Sequence, residues 1–224
     1  MSPLAVFDLD GTLVDTAPDL SASLDHCLAQ DGLPPMPLDL VRPHAGHGAR
    51  AMLRAAYHHL SRPIDAEGVE AHLPVFLSFY EAHIADVSRP FPGVLAAMDR
   101  LEGAGWRLAV CTNKTERLAR KLLKELELAP RFAAICGADT FPAMKPDPRH
   151  LGGTIERAGG SAEKTIMIGD TLTDVAAARA LSIPSILVDF GYAPDEAARA
   201  GASCVIGHYD ELTIDLAMEL FKDR

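Results

Sequence analysis

The chain has 224 residues, of which 48% are hydrophobic and 23% are charged, as expected for one large folded domain or for one domain with an insert. Its net charge of −10 disfavours binding to nucleic acid or to an anionic membrane through general electrostatics. An anionic substrate would therefore need a local positive site.

The four cysteines, Cys27, Cys111, Cys136 and Cys204, are far apart and form no CxxC pair. This pattern predicts reduced thiols and a cytoplasmic location. The sequence shows no signal peptide, no run of 18 apolar residues and no lipidation motif, so no membrane partner is expected.

A short apolar run at residues 4–7 predicts a first strand that is buried on both faces. It ends in two carboxylates, Asp8 and Asp10, which are followed by a glycine. Ligands bind at the carboxyl ends of strands in open parallel sheets, and alternate residues of a strand point to the same side. Because two like charges held close together favour a hard divalent cation, we expect Mg²⁺ chemistry at Asp8.

Residues 17–86 show helical patterns and no convincing strand. Thr16 is predicted to cap the first helix, whose buried stripe contains Leu20, Leu24 and Leu28. A proline-rich connector at 33–37 follows, and apolar residues at helical spacing predict helices over 49–60 and 65–84. This segment is predicted to form a small α-helical bundle.

From residue 87 onward, predicted strands and helices alternate. The strands are expected at 106–112, 133–137, 165–168, 185–188 and 204–206, and the helices at 94–101, 115–126, 151–158, 175–181 and 210–221. Alternation of this kind predicts a parallel sheet with right-handed crossovers. The predicted fold is α/β, with a Rossmann-like core formed by residues 1–16 and 87–224 and an inserted helical bundle at 17–86.

Two polar stretches lie between a later predicted strand and the helix that follows it. Thr112 and Asn113 stand between a strand and a helix, where a hydroxyl and backbone N–H groups can bind a phosphate oxygen. The neighbouring Lys114 is interpreted as a solvated side chain. Lys145 lies beside a double-proline turn that restricts the backbone, and its ammonium could screen carboxylates and help to bind phosphate.

A second pair of carboxylates occurs at 170 and 174. Asp170 comes directly after a buried strand and Gly169, so it should face the same region as Asp8. Asp174 falls at the beginning of the next helix, which it could also cap.

These stretches resemble, in order, the four motifs of the haloacid dehalogenase superfamily. The first is Asp8-Leu9-Asp10-Gly11-Thr12, and the others are Thr112, Lys145 and the pair Asp170 and Asp174. The resemblance covers the whole chain. It implies a Rossmann-like core and identifies residues 17–86 as a helical cap of the C1 type, inserted between the first two motifs.

The resemblance also implies a mechanism and a cofactor. Asp8 would be the nucleophile that forms an aspartyl-phosphate, and Asp10 the general acid and base. Thr112 and Lys145 would stabilise the transferring phosphoryl group. Mg²⁺ would be held by the carboxylates of Asp8 and Asp170 and by the backbone carbonyl of Asp10, with Asp174 outside the direct ligand set.

The cap contains a glycine-rich stretch before a predicted helix. Gly46 and Gly48 could form an anion site there, Arg50 could clamp a carboxylate, and His47 could add a hydrogen bond. The stretch resembles the cap loop of phosphoglycolate phosphatases. The expected partner is therefore a small phosphorylated metabolite, 2-phosphoglycolate, acted on by a monomer or homodimer.

Single residues help to choose among the other activities known in this superfamily. Asp10 argues against dehalogenases, which lack an acid/base at this place, and the absence of any lysine before Lys114 argues against phosphonoacetaldehyde hydrolases. Leu20 stands where β-phosphoglucomutases carry a histidine, which weakens a mutase. A nucleotide or pyrophosphate phosphatase remains the closest alternative, and an inactive binding module on this fold is a further one.

Overall fold

The structure is a computed structural model that describes residues 2–222. Its strands and helices, in chain order, are β1 (Leu4–Phe7), β2 (Val14–Asp15), α1 (Ala17–Gln30), α2 (Leu38–Ala45), α3 (Ala49–His59), α4 (Ala66–Ala82), β3 (Arg89–Pro90), α5 (Val94–Gly103), β4 (Arg107–Cys111), α6 (Glu116–Glu125), β5 (Phe132–Cys136), α7 (Pro148–Arg157), β6 (Thr165–Gly169), α8 (Leu172–Ala180), β7 (Ser185–Val188), α9 (Glu196–Gly201), β8 (Cys204–Ile206) and α10 (Ile214–Glu219). Within this range no helix is both long and apolar enough to cross a membrane.

The main sheet has six strands in the order β5-β4-β1-β6-β7-β8. Every neighbouring pair is parallel, and β1 lies between β4 and β6. The strand order reverses beside β1, which is where open parallel sheets form a crevice at the carboxyl ends of their strands. The predicted α/β class with a parallel, Rossmann-like sheet is confirmed.

The four residues of β1 are fully buried because the sheet is covered on both faces. Ala5 and Phe7 contribute to one hydrophobic cluster, which includes residues of α5 and α6, whereas Leu4 and Val6 contribute to a second one with residues of α7 and α8. This explains why β1 is a continuous apolar run without alternation. The packing fixes the direction in which the chain leaves the strand at Asp8.

Helices α1 to α4 contact one another beyond the carboxyl end of β1. Helix α2 was not predicted: the connector predicted at 33–37 ends just before it, and Pro43 lies inside it. Asp65 caps α4 as predicted, since its side chain accepts a hydrogen bond from the N–H of Gly68. The prediction for Thr16 was wrong, because its side chain makes no capping hydrogen bond.

Near the carboxyl terminus one prediction needs correction and one helix was missed. The helix predicted at 210–221 begins at Ile214, because Thr213 accepts a hydrogen bond from the N–H of Leu216 and residues 209–211 form a separate 3₁₀ turn. Helix α9 was not predicted. It has only six residues, too few for a helical period to stand out.

The chain passes twice between the sheet and the helices, and the two passages lie side by side. Val14 and Asp15 pair with Pro90 and Arg89 as the antiparallel ribbon β2-β3. Next to this ribbon, the buried carboxylate of Asp19 accepts hydrogen bonds from the backbone N–H groups of Val87 and Ser88 and from the Ser88 hydroxyl, at 2.6–3.2 Å.

Replacing Asp19 should destabilise the whole fold. Asp19→Ala leaves three donors without their acceptor in a region where Asp19 is 2% exposed, so the free energy of unfolding should fall by about 3 kcal/mol. The measurement is urea unfolding followed by circular dichroism. Asp39→Ala is the matched control, because Asp39 also lies in the first turn of a helix but is exposed, and its loss should stay below about 0.5 kcal/mol. Equal losses in the two variants would contradict this role.

Candidate active site

Asp8 lies at the tip of β1. Its backbone N–H donates to the carbonyl of Ile168 at 2.8 Å, which continues the ladder to β6 and fixes the side chain. The carboxylate atom Oδ1 lies 2.8 Å from Nζ of Lys145 as an ion pair, without a well-aligned hydrogen bond. Burial raises the pKa of Asp8 to about 7; Lys145 opposes this rise and Asp174 adds to it.

Lys145 stands between two carboxylates. Its Nζ lies 2.6 Å from Oδ1 of Asp174 and 2.8 Å from Oδ1 of Asp8, and the lysine is 2% exposed. Burial by itself lowers the pKa of Lys145, but the charges of Asp174 and Asp8 raise it above its usual value. The side chain is therefore a fixed cation.

Two neighbours hold the backbone of Lys145. The side-chain amide of Asn113 donates to the Lys145 carbonyl at 2.9 Å, and the Lys145 N–H donates to Nδ1 of His150 at 3.2 Å. Burial and the charge of Lys145 lower the pKa of His150 to about 4, so its ring is neutral and can accept. This contact was not predicted, because His150 belongs to no ligand pattern in the sequence.

Asp170 follows β6 and is held by two donors. Oδ1 accepts from the Thr12 hydroxyl at 3.1 Å, and Oδ2 accepts from the Tyr192 N–H at 2.7 Å. Gly11 has a φ of +80°, and a Cβ there would lie 2.4 Å from Oδ2 of Asp170, so the glycine of the first motif allows the two strand tips to approach. Burial raises the pKa of Asp170 to about 8, and the charges of Asp8 and Asp174 contribute.

Asp174 uses its two oxygens differently. Oδ2 accepts from the backbone N–H and the hydroxyl of Thr171, at 3.1 and 2.8 Å, in a capping box at the beginning of α8. Oδ1 forms the ion pair with Lys145. The predicted capping role is therefore confirmed, and the same residue also helps to place the lysine.

The carboxylates of Asp8, Asp170 and Asp174 suit a hard cation. One oxygen from each can be chosen so that all three lie within 4.8 Å of one another. The raised pKa values of Asp8 and Asp170 reflect burial and mutual repulsion, and a divalent cation would relieve this repulsion. These oxygen donors fit Mg²⁺. The side chain of Asp10 is outside this group.

The Asp10 carboxylate instead meets two other side chains. Its Oδ1 accepts from the Thr16 hydroxyl at 2.6 Å and lies 2.9 Å from Nζ of Lys114. This explains why Thr16 does not cap α1. The interpretation of Lys114 as solvated was wrong, because its side chain is 8% exposed and Nζ lies 4.6 Å from the centre of the Tyr80 ring. Lys114 lies only two residues after Thr112 in the sequence. This proximity was a sign that its side chain could reach the site, and the sequence analysis did not use it.

A narrow cleft connects these groups. Its volume is about 20 Å³, and its lining residues are Asp8, Asp10, Gly46, His47, Thr112, Asn113, Lys114, Lys145, Thr171, Thr173 and Asp174. The structure thus brings together the predicted residues of the core motifs, with Gly46 and His47 from the helical segment. Asp170 does not line the cleft, but its carboxylate lies close to those of Asp8 and Asp174 and accepts from Thr12 and Tyr192.

The structure does not bring Gly48 or Arg50 into this cleft. Arg50 is 54% exposed in its side chain and forms an ion pair with Glu70 of α4. Because both groups lie at the surface and satisfy each other, nothing orients the guanidinium toward Asp8. The proposed carboxylate clamp at Arg50 therefore finds no support in this geometry.

A further network near the β2-β3 ribbon was not predicted. The Tyr192 hydroxyl donates to Oδ1 of Asp15 at 2.8 Å and accepts from the Ala17 N–H at 2.7 Å. Arg42 of α2 forms two hydrogen bonds with the same Asp15 carboxylate, at 2.9 and 3.0 Å. These contacts connect the loop after β7, the β2-β3 ribbon and the helical segment.

Comparison with known proteins agrees with this geometry. The family model for haloacid dehalogenase-like hydrolases matches residues 5–188. A phosphoglycolate phosphatase of Mesorhizobium japonicum is 46% identical over 220 residues, which are 98% of this chain and 97% of that protein. A phosphoglycolate phosphatase of Caulobacter vibrioides is also 46% identical, over 89% of this chain and 84% of the relative.

Solved structures support the fold. A protein of Haemophilus somnus, described as a predicted phosphoglycolate phosphatase, matches with a TM-score of 0.84 at 24% identity over 94% of this chain and 96% of that one. A β-phosphoglucomutase of Clostridium difficile matches with a TM-score of 0.78 at 16% identity over 100% of this chain and 98% of that one. Together with the match over residues 5–188, these findings show that the chain belongs to the haloacid dehalogenase-like hydrolase family.

Proposed function

We propose that the protein is a Mg²⁺-dependent phosphatase that hydrolyses 2-phosphoglycolate to glycolate and phosphate through an aspartyl-phosphate at Asp8. One observation carries the chemical part of this proposal. Asp8 is a carboxylate that lines the cleft, is fixed at a strand tip and is flanked by the ammonium of Lys145. The substrate is supported by curated relatives named phosphoglycolate phosphatase that cover nearly the whole chain.

In the first step, a carboxylate oxygen of Asp8 attacks phosphorus and the bond to the leaving oxygen breaks. Asp10 donates a proton to that oxygen, so that the alcohol leaves rather than an alkoxide. The Thr112 hydroxyl and the Lys145 ammonium, which line the same cleft, stabilise charge on the transferring oxygens. When bound, Mg²⁺ would be held by Asp8 and Asp170, with Asp174 beside them, and would neutralise charge on the phosphoryl group.

In the second step, Asp10 accepts a proton from water while the water oxygen attacks phosphorus of the aspartyl-phosphate. The bond between phosphorus and the Asp8 oxygen breaks, which releases phosphate and restores the carboxylate. The contacts of Thr16 and Lys114 with one oxygen of Asp10 support this role, because they fix the carboxyl group beside the cleft. Asp170 and Asp174 are not suited to this role, since they are each 1% exposed and hold other partners.

Residues 17–86 are proposed as a lid over the cleft. Gly46 and His47 come from this segment and line the cleft beside Asp8, and the open volume of about 20 Å³ is too small for a phosphate ester. We expect the segment to move when a substrate enters, and its return would exclude water. The four free cysteines agree with the predicted cytoplasmic location, and a monomer or homodimer stays a prediction.

The substrate can be tested by phosphate release. With Mg²⁺ present, kcat/KM for 2-phosphoglycolate should exceed that for nucleoside monophosphates, pyrophosphate and β-glucose 1-phosphate by about 10-fold or more, because only the preferred substrate satisfies every polar group of the cleft. A nucleotide or pyrophosphate as the best substrate would overturn the assignment. Formation of glucose 6-phosphate without release of phosphate would indicate a mutase. If no ester is turned over, the protein is an inactive binding module.

Metal dependence has a readout in stability as well as in activity. Mg²⁺ at about 100 times its Kd should raise the melting temperature by about 5–10 °C, since binding to the folded state adds to its stability. Chelation should abolish phosphate release. Asp170→Asn should lose the shift in melting temperature, whereas Asp99→Asn, at an exposed carboxylate far from the cleft, should keep it. An unchanged shift in Asp170→Asn would remove Asp170 from the metal site.

The roles of Asp8 and Asp10 separate with an aryl phosphate, whose good leaving group needs no proton. Asp10→Asn should release about one nitrophenol per active site from p-nitrophenyl phosphate in a fast burst and then stall, because no base activates the water. Asp8→Asn should show neither burst nor turnover. Mass spectrometry of the stalled Asp10→Asn protein should find one phosphoryl group on the peptide that contains Asp8. A phosphoryl group elsewhere would contradict the nucleophile.

A further inference from the structure

Two lysines line the cleft, and they form ion pairs with different carboxylates. Lys145 is bound between Asp8 and Asp174, on the side where the phosphoryl group is transferred. Lys114 lies beside Asp10, on the side where the leaving group departs. Apart from its contact with one oxygen of Asp10, Lys114 has no role in the chemistry described so far.

Two arginines of the helical segment, Arg42 and Arg50, are engaged elsewhere. Arg42 is held by both oxygens of Asp15, and Arg50 is exposed and paired with Glu70. Neither belongs to the lining of the cleft. A negative group on the leaving side would therefore meet Lys114 before either of these arginines.

The leaving group of 2-phosphoglycolate sets the distance at which its carboxylate must be bound. Its ester oxygen has to lie at Asp10, the proton donor, and its carboxylate is only one methylene group away from that oxygen. A cation that reads this carboxylate must therefore be a direct neighbour of Asp10. Nζ of Lys114 lies 2.9 Å from Oδ1 of Asp10, whereas the Arg50 guanidinium is outside the cleft.

We infer that Lys114 is the residue that binds the substrate carboxylate and so selects 2-phosphoglycolate among small phosphate esters, an inference that rests on the function proposed above. Burial tends to lower the pKa of Lys114, but the Asp10 charge and the Tyr80 hydroxyl raise it above its usual value, so the group is a cation. The ammonium can turn toward a second carboxylate because Thr16 still donates to Asp10 at 2.6 Å.

Tyr80 gives this lysine a connection to the helical segment. The ring of Tyr80, on α4, packs against the Lys114 ammonium, and the buried hydroxyl has no well-aligned hydrogen-bond partner among the described residues. The cation thus stands at the boundary between α4 and the strand tip of β4. A substrate carboxylate bound there would touch both parts of the molecule when the cleft is closed.

The test compares two esters that differ in one group: 2-phosphoglycolate and 2-hydroxyethyl phosphate, in which CH₂OH replaces the carboxylate. Lys114→Met should lower kcat/KM for 2-phosphoglycolate by about 10- to 100-fold more than for the hydroxyethyl ester, because a charged hydrogen bond is lost only with the former. Lys114→Arg should restore much of the preference. Lys114→Gln gives the same comparison if the methionine variant does not fold.

Arg50→Ala is the matched control, since it removes a cation from an exposed ion pair, and it should change both esters by less than about 2-fold. Equal losses on the two esters in Lys114→Met and Lys114→Gln would overturn the inference and make Lys114 a positioning residue for Asp10. A selective loss in Arg50→Ala would also overturn it. The wild-type protein tests the proposed function separately: without a preference for 2-phosphoglycolate over the hydroxyethyl ester, the substrate assignment itself fails.

Discussion

The structure depends on holding three carboxylates and one ammonium together at the buried end of β1. Asp8, Asp170 and Asp174 repel one another in a region of low exposure, and Lys145 alone among them carries positive charge. Buried charges are tolerated only where donors and counter-charges meet them. Thr12, the Tyr192 N–H and the Thr171 groups supply those donors, so the loops after β6 and β7 are set by the needs of the carboxylates.

The same constraint explains the packing around the site. Gly11 and Gly191 each face Asp170, and a Cβ on either would lie less than 2.5 Å from one of its atoms. The strand tips can approach only because these side chains are absent. On the other side, Asn113 and His150 fix the backbone that carries Lys145. A rigid carboxylate cluster thus requires a rigid loop for its counter-charge, and both are built on elements of the sheet.

The sequence was sufficient for the six strands of the main sheet, because buried parallel strands are continuous apolar runs, and for the position of the motif residues after those strands. The two-residue strands β2 and β3 were not predicted, since they are too short to show a pattern. The sequence was insufficient where a polar side chain chooses among partners far apart in the chain. Thr16 could cap α1 or bind Asp10, and Lys114 could face solvent or pair with Asp10; the two outcomes differ by the position of a neighbour that only the fold determines. The ion pair between Arg50 and Glu70 of another helix was not predicted for the same reason. Helix α2 was not predicted either. A proline such as Pro43 is unfavourable in a helix interior, yet it is tolerated in this short helix, which the bundle stabilises.

The ribbon β2-β3 has a consequence for how such a molecule can change over time. Residues 17–86 leave the sheet and return to it at one place, so to the sheet they are equivalent to a single long loop. An insertion that begins and ends at one place can be lengthened, shortened or exchanged without altering strand order or the surroundings of Asp8. His47 and Tyr80 belong to this exchangeable part, and Asp8, Lys145 and Asp170 to the fixed part. The side chains that residues 17–86 bring to the cleft can therefore change while the carboxylate cluster at the sheet stays the same.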